Sequence, residues 1–211
     1  MSNYKTVFFI LGVLQIILGL SMIVPIIAQF YYNQVDSGFI GSGLVSIIFG
    51  VLFFLSNLDY EKKLTLPQAF LLTALSWLSI AIFGSLPFVF SDLSLSFTNA
   101  FFESMSGITT TGSTILTNLN ETPKAILLWR AMLQWLGGIG IIVMAITLMP
   151  IMNIGGMQLF VISNTHTPEK ILPKSKEISI RLIAIYSSLT LVCAFFYKIF
   201  GMSFFDSIVH S

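Results

Sequence analysis

The sequence predicts an all-α membrane protein: two N-terminal transmembrane helices, one full span–short helix–span repeat and the start of a second. Three observations carry that reading. Hydrophobic residues make up 55% of the 211 residues and charged residues 9%, with a mean hydropathy of +0.91. A soluble domain carries about 25% charge, so much of this surface must face lipid. Five apolar segments reach the roughly 20 residues that a helix needs to cross a bilayer. Between the third and fourth, residues 97–108 are apolar but too short to cross, which suggests a re-entrant helix.

The first span, residues 6–31, follows Lys5 and carries Pro25 near its far end. It is too long for the apolar region of a signal peptide, about 7–15 residues, and no small-residue cleavage pattern follows it. The second span covers residues 39–58. The third covers 67–90, and Pro67 suits a first helical turn because its fixed φ and missing N–H cost nothing there. The fourth covers 125–151 and the fifth 178–200. The chain then divides into leading helices (1–66), a first repeat (67–152), a loop (153–177) and the start of a second repeat (178–211).

Positive charge orients the spans. Counted alternately, Lys5, Lys62, Lys63, Lys170, Lys174, Lys176 and Arg181 fall on one side, and Lys124 and Lys198 on the other. The N-terminus is therefore expected in the cytoplasm, with the re-entrant helix entering from outside. A net charge of +1 offers no basic stripe for nucleic acid. The single Cys193 rules out a disulfide framework and reads as a small buried hydrophobe. His166 and His210 lack ligand spacing. Gly138-Ile-Gly140 has neither a preceding strand nor the third glycine of a dinucleotide fingerprint. No acid pair, triad or metal motif points to an enzyme or an organic cofactor. Asn120-Glu121-Thr122 matches a glycosylation acceptor, a pattern common by chance.

A weak internal repeat links the two halves. Ser96-Phe97 matches Ser203-Phe204 at an offset of 107 residues, aligning Asn99 with Asp206, Glu103 with His210 and Ser104 with Ser211. The chain is expected to be an N-terminal fragment that ends inside a second re-entrant helix.

Residues 109–113, Thr-Thr-Thr-Gly-Ser, follow the short helix. A cation leaving water needs its shell of oxygens replaced, and backbone carbonyls do this without a trapping charge. Gly112 permits the positive φ that aims successive carbonyls at one axis. Threonine hydroxyls can bond behind the loop, and the negative end of the preceding helix dipole favours a cation. Arg130, inside the fourth span, needs a partner. Glu103 on the short helix is the expected one, bracing that helix. Gly137, Gly138 and Gly140 should allow close approach to it. Trp135 is expected to pack, and Trp129 to sit at the membrane interface.

These segments resemble the TrkH/KtrB family of K⁺ transport proteins, its TrkH-type members most closely. The matching residues are 100–112 (AFFESMSGITTTG), 128–143 (LWRAMLQWLGGIGIIV), 155–159 (GGMQL) and Leu86-Pro87-Phe88. The resemblance implies four span–pore helix–span repeats around one pore, preceded by two extra helices. It implies that Thr110, Thr111 and Gly112 form one quarter of a K⁺ filter, with K⁺ at Thr110 and Thr111, flanked by Thr109 and Ser113. It also implies pore-forming K⁺ uptake in the plasma membrane, a homodimer, and a cytosolic nucleotide-binding regulator of the TrkA/KtrA kind that meets residues 153–176. In the family a serine in place of Gly112 accompanies Na⁺ passage, which favours K⁺ here. Two other readings stay open: a Na⁺-permeable or Na⁺-coupled relative, and a non-conducting membrane fragment or scaffold.

Overall fold

The computed structural model describes residues 4–34, 36–60, 64–119, 121–152 and 171–211, with the side chains of 146–152 and 171–176 left aside. The helices are α1 (Lys5–Ser21), α2 (Ile23–Tyr31), α3 (Gly38–Ser56), α4 (Leu66–Phe90), α5 (Phe97–Ile108), α6 (Lys124–Met152), α7 (Ile171–Ile199) and α8 (Phe204–Val209). Five are long and apolar enough to cross a membrane when α1 and α2 are taken as one span, Lys5–Tyr31. Residues 153–176, expected to meet a regulator, lie outside the described residues or their side chains, as do His166 and Asn120. The chain divides inside α6 into two compact units, Met1–Gly138 and Ile139–Ser211.

The first span is not the uninterrupted helix that its hydropathy suggested. It breaks at Met22, whose N–H bonds to Gly19 at 3.3 Å. Pro25 supplies no N–H to the carbonyl of Ser21, so the ladder loosens one turn earlier. Helix α2 closes with a Schellman turn. Asn33 takes φ +53°, Gln34 N bonds to Gln29 O at 2.9 Å and Asn33 N to Phe30 O at 3.4 Å.

α1 and α3 pack with their backbones almost touching. A Cβ on Gly12 would lie 2.6 Å from Phe54 N, and one on Gly19 would lie 2.9 Å from Gly43 O. Lipid gives helices no hydrophobic reason to associate, so small residues that admit close packing carry the interface. Gln15, fully buried, donates to Ser79 Oγ of α4 at 2.6 Å.

α4 starts in a capping box of Thr65 and Gln68, with Pro67 in its first turn. The core of the first unit joins Leu18, Met22, Phe39, Phe88, Ala100, Ile126, Trp129 and Leu133. The turn before α3 fastens the leading helices to the repeat. Asp36 accepts from Gly38 N at 2.7 Å and from Asp92 N at 3.2 Å, and Gln34 accepts from Lys124 N at 3.0 Å.

In the second unit α7 begins at Ile171, seven residues before the expected span. The extension is polar. Helices propagate beyond the bilayer where side chains such as Glu177 and Arg181, an i,i+4 ion pair, support them. Cys193 is half-buried. α7 ends in a second Schellman turn at Gly201, φ +99°, and Ser203 then caps α8 by accepting from Asp206 N at 3.1 Å. Its counterpart Ser96 caps α5, accepting from Asn99 N at 3.4 Å. The weak sequence repeat thus coincides with two equivalent helix starts.

Candidate functional site: the turn after the short helix

Helix α5 and the limb that follows it form the site. Its sequence favours a helix that starts sharply at Ser96 and cannot continue through three consecutive threonines, whose β-branching restricts χ1. The helix ends in a third Schellman turn. Thr110 N bonds to Gly107 O at 2.9 Å and Thr111 N to Ser106 O at 3.0 Å. The left-handed position is held by Thr110 at φ +58°, and Gly112 follows at φ +78°. The sequence pointed to Gly112 for this conformation. Thr110 was not expected there, since a β-branched residue at positive φ is an outlier.

The N–H groups of Thr110, Thr111 and Gly112 all turn back onto α5. A trans peptide sets N–H and C=O on opposite sides. The carbonyls of Thr109, Thr110 and Thr111 therefore point away from the helix. No hydrogen bond among the described residues occupies them or the carbonyl of Gly112. The Ser113 carbonyl differs, because it accepts from Ser106 Oγ at 2.6 Å. Thr109 Oγ1 bonds behind the turn to Met105 O at 2.8 Å and meets Thr111 Oγ1 at 2.8 Å. Residues 110–115 are exposed.

Glu103 anchors the return limb. Its carboxylate is fully buried and forms an ion pair with Arg130 of α6 through Nε. It also accepts from Thr114 Oγ1 at 2.9 Å and from Ile115 N at 3.0 Å. Three donors from three places compensate one buried charge, as burial in a membrane demands.

α6 passes close behind. A Cβ on Gly137 would sit 1.9 Å from Ile108 O, so no other residue fits. Gly140 has open space around it. Trp129 corrects another expectation. It is fully buried and donates from Nε1 to Gly84 O of α4 at 2.9 Å. Gly84 offers α4's carbonyl with no side chain in the way, so the indole packs inward rather than at the interface. Phe39 meets it edge-on at 6.2 Å between ring centroids.

Sequence reasoning singled out Thr109–Ser113, Glu103 and Arg130, and the fold gathers them around one turn. It passed over Ser106 and Thr114. Only the left-handed turn brings Ser113 back to a residue seven positions earlier, and no sequence spacing announces that.

The family model for TrkH, described as a cation transport protein, matches residues 5–209. The chain belongs to the TrkH family. The TrkH potassium transporter of Vibrio parahaemolyticus, known from a crystal structure, superposes with a TM-score of 0.87 at 34% identity, covering 99% of this chain and 42% of that one. Among curated members, the Trk system potassium uptake protein TrkI of Halomonas elongata is 38% identical over 96% of this chain and 41% of its own length. The Trk system potassium uptake protein TrkH of Escherichia coli is 38% identical over 99% of this chain and 44% of its own. The chain thus spans less than half the length of the TrkH relatives it matches. Family and fold agree that this is an all-helical membrane protein.

Proposed function

We propose that the chain contributes to K⁺ uptake across the cell membrane, with residues 109–112 supplying one of the sets of carbonyls that replace the hydration shell of K⁺. The observation that carries this is the row of carbonyls at Thr109, Thr110, Thr111 and Gly112 that no hydrogen bond among the described residues occupies, the first three turned away from α5. Neutral carbonyl dipoles suit a dehydrated monovalent cation, because they bind it without a fixed charge that would trap it. Glu103 and Arg130 act as supports of this turn rather than as ligands. The names of the relatives, potassium uptake proteins, favour K⁺ over Na⁺. In the family setting the N-terminus is cytoplasmic, whole chains pair as homodimers, and a cytosolic TrkA/KtrA-like regulator meets the loop before α7.

The test is growth at low K⁺ of a K⁺-uptake-deficient bacterium that expresses the gene encoding this chain. Rescue is expected, and Gly112→Ser is expected to admit Na⁺. A protein that carries this filter segment together with the other three and reaches the membrane without rescuing growth would defeat the reading. Rescue with Na⁺ flux already present in the unaltered protein would favour the Na⁺-permeable relative.

A further inference from the structure

We propose that Ser106 is a positioning residue for ion selectivity that fixes where the row of open carbonyls ends. The inference rests on residues 109–112 being an ion-coordinating turn. Ser106 is buried in the last turn of α5, 6% exposed, and it grips the turn from both of its oxygens. Its carbonyl accepts from Thr111 N at 3.0 Å and from Gly112 N at 3.3 Å. Its hydroxyl donates to Ser113 O at 2.6 Å.

The hydroxyl bond is the unusual one. A serine within a helix ordinarily returns its proton to a carbonyl one turn back, as Thr109 does to Met105. Ser106 instead reaches seven residues forward. That bond has two consequences. It occupies the carbonyl that would otherwise continue the row, so this segment presents Thr109 through Gly112 and stops. It also ties the return limb to the helix on the far side of Gly112, which has no side chain to hold its own φ. Selectivity depends on the number of coordinating oxygens and on their freedom to move. Without the hydroxyl, a fifth carbonyl is released and the return limb keeps only its bonds to Glu103. A looser site with an extra oxygen discriminates less between ions of different radius.

Two measurements test this. The first uses the purified chain in lipid with a ¹³C=¹⁸O label at Ser113. Its isolated amide band is expected at the lower frequency of a hydrogen-bonded carbonyl, and Ser106→Ala is expected to raise it. The second compares K⁺ and Na⁺ uptake in cells expressing the encoding gene. Ser106→Ala is expected to lower the K⁺ preference about fivefold, which converts to about 1 kcal/mol, the worth of one hydrogen bond. Ser106→Thr, which keeps the hydroxyl, should retain the preference. A band that starts at the free-carbonyl frequency overturns the proposal, and it does so even if Ser106→Ala fails to reach the membrane. An unchanged ion preference in a correctly inserted Ser106→Ala protein overturns it too. An unaltered protein that takes up no K⁺ removes the ion-coordinating reading, and with it the selectivity role, while the band still reports whether the Ser106–Ser113 bond exists.

Discussion

The ends of α5 and α7 use the same backbone motif with different residues at its left-handed position. At α7 that residue is Gly201, φ +99°; at α5 it is Thr110, φ +58°. After Gly201 the chain only has to turn and start α8, and glycine adopts the conformation without a Cβ clash. Thr110 carries a left-handed cost of about 1–2 kcal/mol. Such strain persists only where the surroundings over-determine the backbone. Around α5 they do. Ser106 holds the turn from beneath, Glu103 holds the return limb, and Arg130 fixes Glu103 to α6. The residue aligned with Glu103 near α8 is His210, which is exposed and bonds within its own helix, to Asp206 O at 2.8 Å. One turn is simply made; the other is made against strain and then clamped.

The largest effect should come from removing the clamp. Glu103→Ala leaves Arg130 paired with nothing in a half-buried site, and losing one partner of a buried ion pair costs about 3–5 kcal/mol. His210→Ala, at the aligned position, should stay within about 0.5 kcal/mol, as exposed substitutions do. Unfolding in detergent compares the two, and equal losses would dissolve the contrast.

Next comes the wall behind α5. Gly137→Ala drives a Cβ into Ile108 O, and overpacking of this kind costs about 1–3 kcal/mol. Gly140→Ala meets nothing and should gain stability by about 1 kcal/mol through helix propensity. Opposite signs in the same melting experiment are the expected outcome.

Exchanging the two left-handed residues sharpens the comparison further. Gly201→Thr should destabilise by about 1–2 kcal/mol, while Thr110→Gly should relieve strain yet leave the turn less defined. A Thr110→Gly protein that melts higher but admits more Na⁺ would separate stability from selectivity. The smallest effect belongs to the helix starts. Ser203→Ala should cost about 1 kcal/mol, and Ser96→Ala less, because its capping bond is longer, 3.4 Å against 3.1 Å.

Most of the architecture was legible in the sequence. The spans, the short helix and its boundaries at residues 97 and 108 follow from hydropathy and length, because the cost of exposing backbone to lipid acts on every residue alike. The pairing of Glu103 with Arg130 followed from the cost of a lone charge at depth. The break at Met22 was less legible, since Pro25 acts on a carbonyl one turn before itself. Trp129 was misread because an indole suits both an interface and a core, and only the buried carbonyl of Gly84 decides between them.

The sequence by itself determined that this protein lies in a membrane, where its helices run, and that a Thr-Thr-Thr-Gly turn interrupts them. These are sums over local properties, and a linear chain carries them completely. Only the tertiary structure decided which carbonyls of that turn stay open, that Thr110 rather than Gly112 alone bends it, and that Gly137 lies against the end of α5. Those outcomes depend on which donor reaches an acceptor across a turn or from another helix. Such bonds are settled by distances of a fraction of an ångström that no residue's own chemistry contains.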